Sequence, residues 1–109
     1  MTYPPAVANG VVYVGSLDAK VYALNATTGS LLWSYTTGGE VISSAAVANG
    51  VVFIGSEDNN LYALDANTGA KLWSYYIGVS YPNYSSPAVA NGVVYIGSDD
   101  GKVYAFGLK

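Results

Sequence analysis

Few side chains in this sequence can do chemistry. There are seven carboxylates, four lysines and eleven tyrosines, and 109 residues contain no arginine, histidine or cysteine. The carboxylates include two adjacent pairs, Glu57-Asp58 and Asp99-Asp100. Paired carboxylates are raw material for a calcium site. The run Ser98-Asp99-Asp100-Gly101-Lys102, however, lacks the spaced oxygen ligands and the closing Glu of an EF-hand loop. Without His or Cys there is no zinc finger, no thiolate site, no haem ligand of the usual kind and no Ser-His-Asp triad. No carboxylate pair departs from the pattern of the chain as a general acid and base would. No catalytic residue, metal ligand or cofactor is therefore expected. Asn25-Ala26-Thr27 and Asn83-Tyr84-Ser85 match the glycosylation acceptor pattern, which makes Asn25 and Asn83 candidate attachment points in an exported protein.

Composition narrows the partners. The net charge is −3 with no Arg, which argues against nucleic-acid binding. Half the residues are hydrophobic, too many for a disordered chain. Apolar runs reach only about five residues, far short of a membrane span. No basic start precedes an apolar segment, so no signal peptide is expected. A chain of this length buries roughly 65% of its unfolded surface, enough for a core.

The elements that must carry these residues come as repeats. Ala6-Val7-Ala8-Asn9-Gly10-Val11-Val12-Tyr13-Val14-Gly15-Ser16 returns from Ala46 and again from Ala88, at offsets of 40 and 42 residues. Each repeat reads as short strands: an Ala-Val-Ala strand, an Asn-Gly hairpin turn, a Val-Val-Tyr-type strand and a short acidic turn. A third strand such as Val21–Leu24 follows, then a Thr-Gly turn and a fourth strand ending in Trp-Ser-Tyr. No apolar period near 3.6 occurs, so no helix is predicted. The second and third strands are apolar on both faces, as in sheets covered on both sides. Asp18, Asp58 and Asp100 share one column of the repeat and are expected to stabilise turns. The Tyr13, Phe53 and Tyr95 column and the Tyr22, Tyr62 and Tyr104 column are expected in the core.

Ala63-Leu64-Asp65-Ala66-Asn67-Thr68-Gly69-Ala70-Lys71-Leu72-Trp73 reproduces the pattern Ala-x-Asp-x-x-Thr-Gly-x-x-x-Trp, the tryptophan-docking motif. Ala23 to Trp33 is a second copy with Asn25 in place of Asp. A third copy begins at Ala105, where the sequence stops four residues later. The chain thereby resembles the quinoprotein-type, or PQQ-like, propeller repeat family, which holds quinone-dependent dehydrogenases and non-catalytic scaffolds of the bacterial envelope. The resemblance implies an all-β fold of propeller-type blades: about three four-stranded antiparallel units, the third lacking its outer strand. The blades span about residues 3–38, 41–78 and 84–109. It also implies that each docking Trp packs on the Gly turn of the adjacent blade. Trp33 would then lie near Gly69, while Trp73 finds no such glycine and Gly29 receives no Trp. None of the positions that bind a quinone in the family can be matched.

Three blades cannot close a ring at ordinary wedge angles, and their outer faces would be exposed apolar sheets. The expectation is a non-catalytic structural protein, extracellular or periplasmic, that joins copies of itself into a ring or filament through those faces and an edge strand. Trp73→Ala should then weaken association more than Trp33→Ala. The alternatives are a scaffold piece of a larger envelope propeller and a piece of a quinone-dependent dehydrogenase. The repeat departs most from itself in loop 75–84, where Tyr81 and Tyr84 are candidates for contact with a glycan or a protein.

Overall fold

A computed structural model describes residues 5–41, 44–76, 88–97 and 103–107. Tyr81, Asn83, Tyr84, Asp99 and Asp100 lie outside the described residues, as does most of loop 75–84. Within them the chain forms eleven strands and no helix. The first sheet holds β1 (Ala6–Ala8), β2 (Val11–Gly15), β3 (Lys20–Asn25) and β4 (Leu31–Thr36). The second repeats it with β5 (Ala46–Ala48), β6 (Val51–Gly55), β7 (Asn60–Asp65) and β8 (Lys71–Tyr76). The third holds β9 (Ala88–Ala90), β10 (Val93–Gly97) and β11 (Val103–Gly107). Neighbouring strands pair antiparallel in sequence order, which is the meander of a blade. The Ala-rich strands lie side by side, β1 next to β5 and β5 next to β9. Small side chains there let three sheets converge.

The hairpins form because their turn residues accept positive φ. Asn9 and Gly10 sit at 52° and 77°, and the Asn49-Gly50 and Asn91-Gly92 pairs repeat this within a few degrees. Two consecutive positive φ values make the primed turn that matches strand twist. The turn between the second and third strands also needs one residue at positive φ. Asn59 supplies it at 68°, but the first repeat uses Ala19 at 72°. A β-carbon in the left-handed region costs about 1–2 kcal/mol, and Asn visits that region more readily. Ala19→Asn should therefore raise folding stability by about 0.5–1 kcal/mol, read as a higher urea midpoint. An unchanged or lower midpoint would count against strain at Ala19.

Alternation along the strands gives each blade two apolar faces. Tyr13, Val21, Ala23 and Trp33 of the first blade meet Val52, Ile54, Tyr62 and Leu64 of the second. The second blade's opposite face, with Phe53, Leu61, Ala63 and Trp73, meets Val89, Val94, Tyr104 and Phe106 of the third. The middle blade is thus covered on both sides. The outer blades are each covered on one.

Candidate functional site

Two kinds of joint hold one blade to the next, and both begin in a local turn. In the Thr-Gly turn, Asn25 Oδ1 accepts the amides of Thr27 and Thr28 at 2.8 and 3.1 Å. Asp65 Oδ1 does the same for Asn67 and Thr68. An amide oxygen replaces a carboxylate oxygen here without loss of the turn. The glycine that follows, Gly29 or Gly69, has φ of +78° or +79°. This shape turns the carbonyl of Ala66 and the bare face of Gly69 towards the first blade.

Trp33 fills that site. Its Nε1–H donates to Ala66 O at 2.9 Å. Its ring lies so close to Gly69 that an added β-carbon would stand 2.5 Å from Cε3. The Tyr13 ring flanks the indole at 6.0 Å, and its hydroxyl donates to the same carbonyl. Burial, and then the charge of Asp65, raise the Tyr13 phenol above its ordinary pKa. Trp33 is only 8% exposed.

The equivalent turn on the first blade is empty among the described residues. Gly29 has the same φ as Gly69, yet nothing lies within 4 Å of where its β-carbon would be. Trp73 has a different environment again. It is half-buried between Phe53 at 6.0 Å and Phe106 at 5.7 Å. Trp73 therefore faces the third blade and is not on an outer surface. The turn at Gly29 is uncovered as expected, whereas Trp73, expected at an open end, packs against Phe106 of the third blade.

The second joint is polar, and the column of aspartates conceals it. Asp18 and Asp58 each accept the amide two residues on through Oδ1, at 3.0 Å. Each also accepts the hydroxyl of the tyrosine four residues on, Tyr22 or Tyr62. Only Asp58 also takes an amide from the neighbouring blade, Gly38 N at 2.9 Å. Beside it Thr37 Oγ1 donates to Ala19 O, and Ser56 Oγ donates to Gly39 O. Val41 is buried and bridges to Ser56. It occupies the notch left by Gly15, where a β-carbon would come within 2.3 Å of Val41 Cγ1. The Asp-x-x-x-Tyr spacing at 18/22 and 58/62 was available in the sequence as a signal for the tie within a blade. The amide partner from the next blade was not.

Tyr62 has a titration consequence. Burial first, then the hydrogen bond and charge of Asp58, push its phenol up to about 12. The unfolded chain releases that proton near pH 10. Stability from this site is thus present below pH 10 and lost as pH rises towards 12. The urea midpoint should fall across that window, and Tyr62→Phe should reduce the fall. An equal fall in the variant would count against it.

The same geometry speaks to catalysis. Both oxygens of Asp58 and Oδ1 of Asp65 accept turn or inter-blade amides. Among the described residues, no three acidic groups gather where a metal could sit.

A family model described as outer membrane protein assembly factor BamB matches residues 1–109. BamB from Moraxella catarrhalis superposes with a TM-score of 0.82 at 25% identity, over 96% of this chain and 33% of that one. A quinohemoprotein alcohol dehydrogenase from Pseudomonas putida HK5 superposes with a TM-score of 0.82 at 31% identity, over 96% of this chain and 18% of that one. The beta-alanine-activating enzyme of Danio rerio is 53% identical over 36 residues, which are 33% of this chain and 3% of that protein. The chain thus spans a third or less of each relative's own length.

Proposed function

Because the chain belongs to the PQQ-like propeller repeat family, matched along its whole length by the model described for BamB, we propose that it is a non-catalytic scaffold unit whose open blade faces are protein-contact surfaces. The observation that carries this is the contrast between two turns of the same backbone shape. Gly69 is covered by an indole and Gly29 is not. The face around Gly29 carries Val12, Val14, Tyr22 and Leu24, the counterparts of Val52, Ile54, Tyr62 and Leu64, which the first blade covers. An uncovered face of this kind favours association. The third blade offers the opposite face, so copies can meet head to tail, in a closed ring or an open filament.

The relative whose name gives it a part in assembling outer membrane proteins supports protein contact and an envelope location for this chain. The same relative favours a second source for the missing blades, since it is about three times as long. In that case the faces are covered by further blades of one polypeptide. The dehydrogenase relative is an enzyme by name. Asp18, Asp58 and Asp65 are engaged by turn amides, which does not favour that role for them.

Light scattering behind a sizing column tests the proposal, with electron microscopy of the same sample. The expected mass is a multiple of 11.3 kDa, two or three copies for a ring and far more for a filament. A stable monomer with unchanged mass at high concentration would sink association through the faces.

A further inference from the structure

Two tyrosine rings meet across each joint between blades. Tyr35, on β4 of the first blade, lies against Tyr62 of the second at 5.8 Å, with the rings tilted by 57°. Tyr75, on β8 of the second blade, lies against Tyr104 of the third at 6.1 Å and 50°. The pairs occupy the same columns of the repeat: the Tyr of Trp-Ser-Tyr before the joint, and the third strand's Tyr after it. Tyr75 also leans on Phe106, which is nearer at 4.9 Å and carries no phenol.

The pair at the first joint is also equipped for proton loss. The Tyr62 hydroxyl donates to Asp58, a carboxylate that can take its proton. Burial and Asp58 raise the Tyr62 phenol most, and Tyr35 adds to them, which places the two hydroxyls within electrostatic reach. Tyr62 is almost fully buried and Tyr35 half-buried. A second phenol already held against the first outcompetes one that must diffuse in from another chain. Tyr22 makes the same bond to Asp18, but no tyrosine ring stands against it among the described residues. The chain has no cysteine, so no disulfide can tie one blade to the next.

We propose that Tyr35 and Tyr62 are an oxidative modification site, where a one-electron oxidant joins the two rings as dityrosine and staples the first blade to the second. Each phenol gives one electron to the oxidant and loses its hydroxyl proton, that of Tyr62 to Asp58. The two phenoxyl radicals form a carbon–carbon bond between ring carbons ortho to oxygen. Each of those carbons then releases its hydrogen as a proton while its oxygen takes one up, which restores both aromatic rings and both hydroxyls. In all, two electrons go to two equivalents of oxidant and two protons go to solvent, Asp58 handing on the one it held. The staple closes residues 35–62 into a loop and so limits the freedom of the unfolded chain. It lies wholly within the first joint, and it is independent of what covers the outer blade faces.

The oxidant for the test is tris(bipyridyl)ruthenium with persulfate under a flash of visible light, applied to dilute protein. A denaturing gel separates links within a chain from links between chains. Cleavage after Lys and Glu releases residues 21–40 and 58–71 as separate peptides. The expected product joins these two, is two hydrogens lighter than their sum and shows the blue fluorescence of dityrosine. Tyr35→Phe should lower its yield at least tenfold. Tyr22 shares the first peptide, so Tyr22→Phe should leave the yield unchanged. Both variants keep the ring, and circular dichroism should show an unchanged fold. In urea the parent should give at least tenfold less product, since the rings then meet only by chance. Asp58→Asn, checked for fold in the same way, should slow product formation about tenfold, because the positioned proton acceptor is gone. Links found only between chains would overturn the proposal, as would a yield kept within threefold in Tyr35→Phe or in urea. An unchanged rate in folded Asp58→Asn would overturn the assignment of Asp58 as the proton acceptor.

Discussion

Trp33→Ala is expected to lower folding stability by about 3–5 kcal/mol, the range for a large aromatic removed from a packed interior. The indole is the wedge between the first two blades. Its removal leaves Ala66 O without the Nε1 donor and exposes the cleft over Gly69. A domain of this size has about 5–15 kcal/mol in total, so the variant sits close to unfolding at room temperature. Trp73→Ala should cost less, about 1–2 kcal/mol, because that indole is only half-buried and forfeits less packing area. Urea unfolding of both variants, at equal slope with denaturant, checks the order. Equal losses would mean that the two joints are equally closed.

Gly69→Ala and Gly29→Ala form the second test. Both glycines hold φ near +79°, so both substitutions carry the same backbone strain, about 1–2 kcal/mol. At Gly29 nothing else is met. At Gly69 the new methyl would stand 2.5 Å from Cε3 and 2.6 Å from Cδ2 of Trp33, and a ring held by its own hydrogen bond has to move. Overpacking of that kind adds about 1–3 kcal/mol. The expected difference of about 2 kcal/mol between the variants isolates the docking contact, since strain cancels. If a neighbouring molecule covers the first blade, Gly29→Ala should also weaken association about tenfold while leaving the fold intact. Sizing across a dilution series reads that directly.

Much of this protein could be read from its order of residues. The Asn-Gly hairpins, the aspartate turns and the four-strand rhythm all depend on groups a few residues apart. Their physics is complete within a short segment: the sign of φ at Asn9 and Gly10, or an Asn25 oxygen within reach of two amides. Family membership followed from the spacing of Thr, Gly and Trp, and the matched model spans the same residues. The inter-blade groups were less legible. Asp58 looked like another turn residue, because its bond to Gly38 joins residues 20 apart. Gly15 carried no signal for the close approach of Val41, since its φ is ordinary and its reason is a neighbour's methyl group.

The sequence by itself determined the repeat, the strands and the shape of the Asn-Gly and Thr-Gly turns among the described residues, because these are set by local sterics and local hydrogen bonds. It also determined that each blade would have two apolar faces. The tertiary structure alone decided which of those faces are covered. Gly29 and Gly69 each follow a Thr and hold nearly the same backbone angle, yet only Gly69 has a neighbouring blade's indole against it. Tyr95 and Tyr13 differ in the same way. Occupancy of a docking site is a property of position in the stack. A repeated sequence cannot encode it copy by copy.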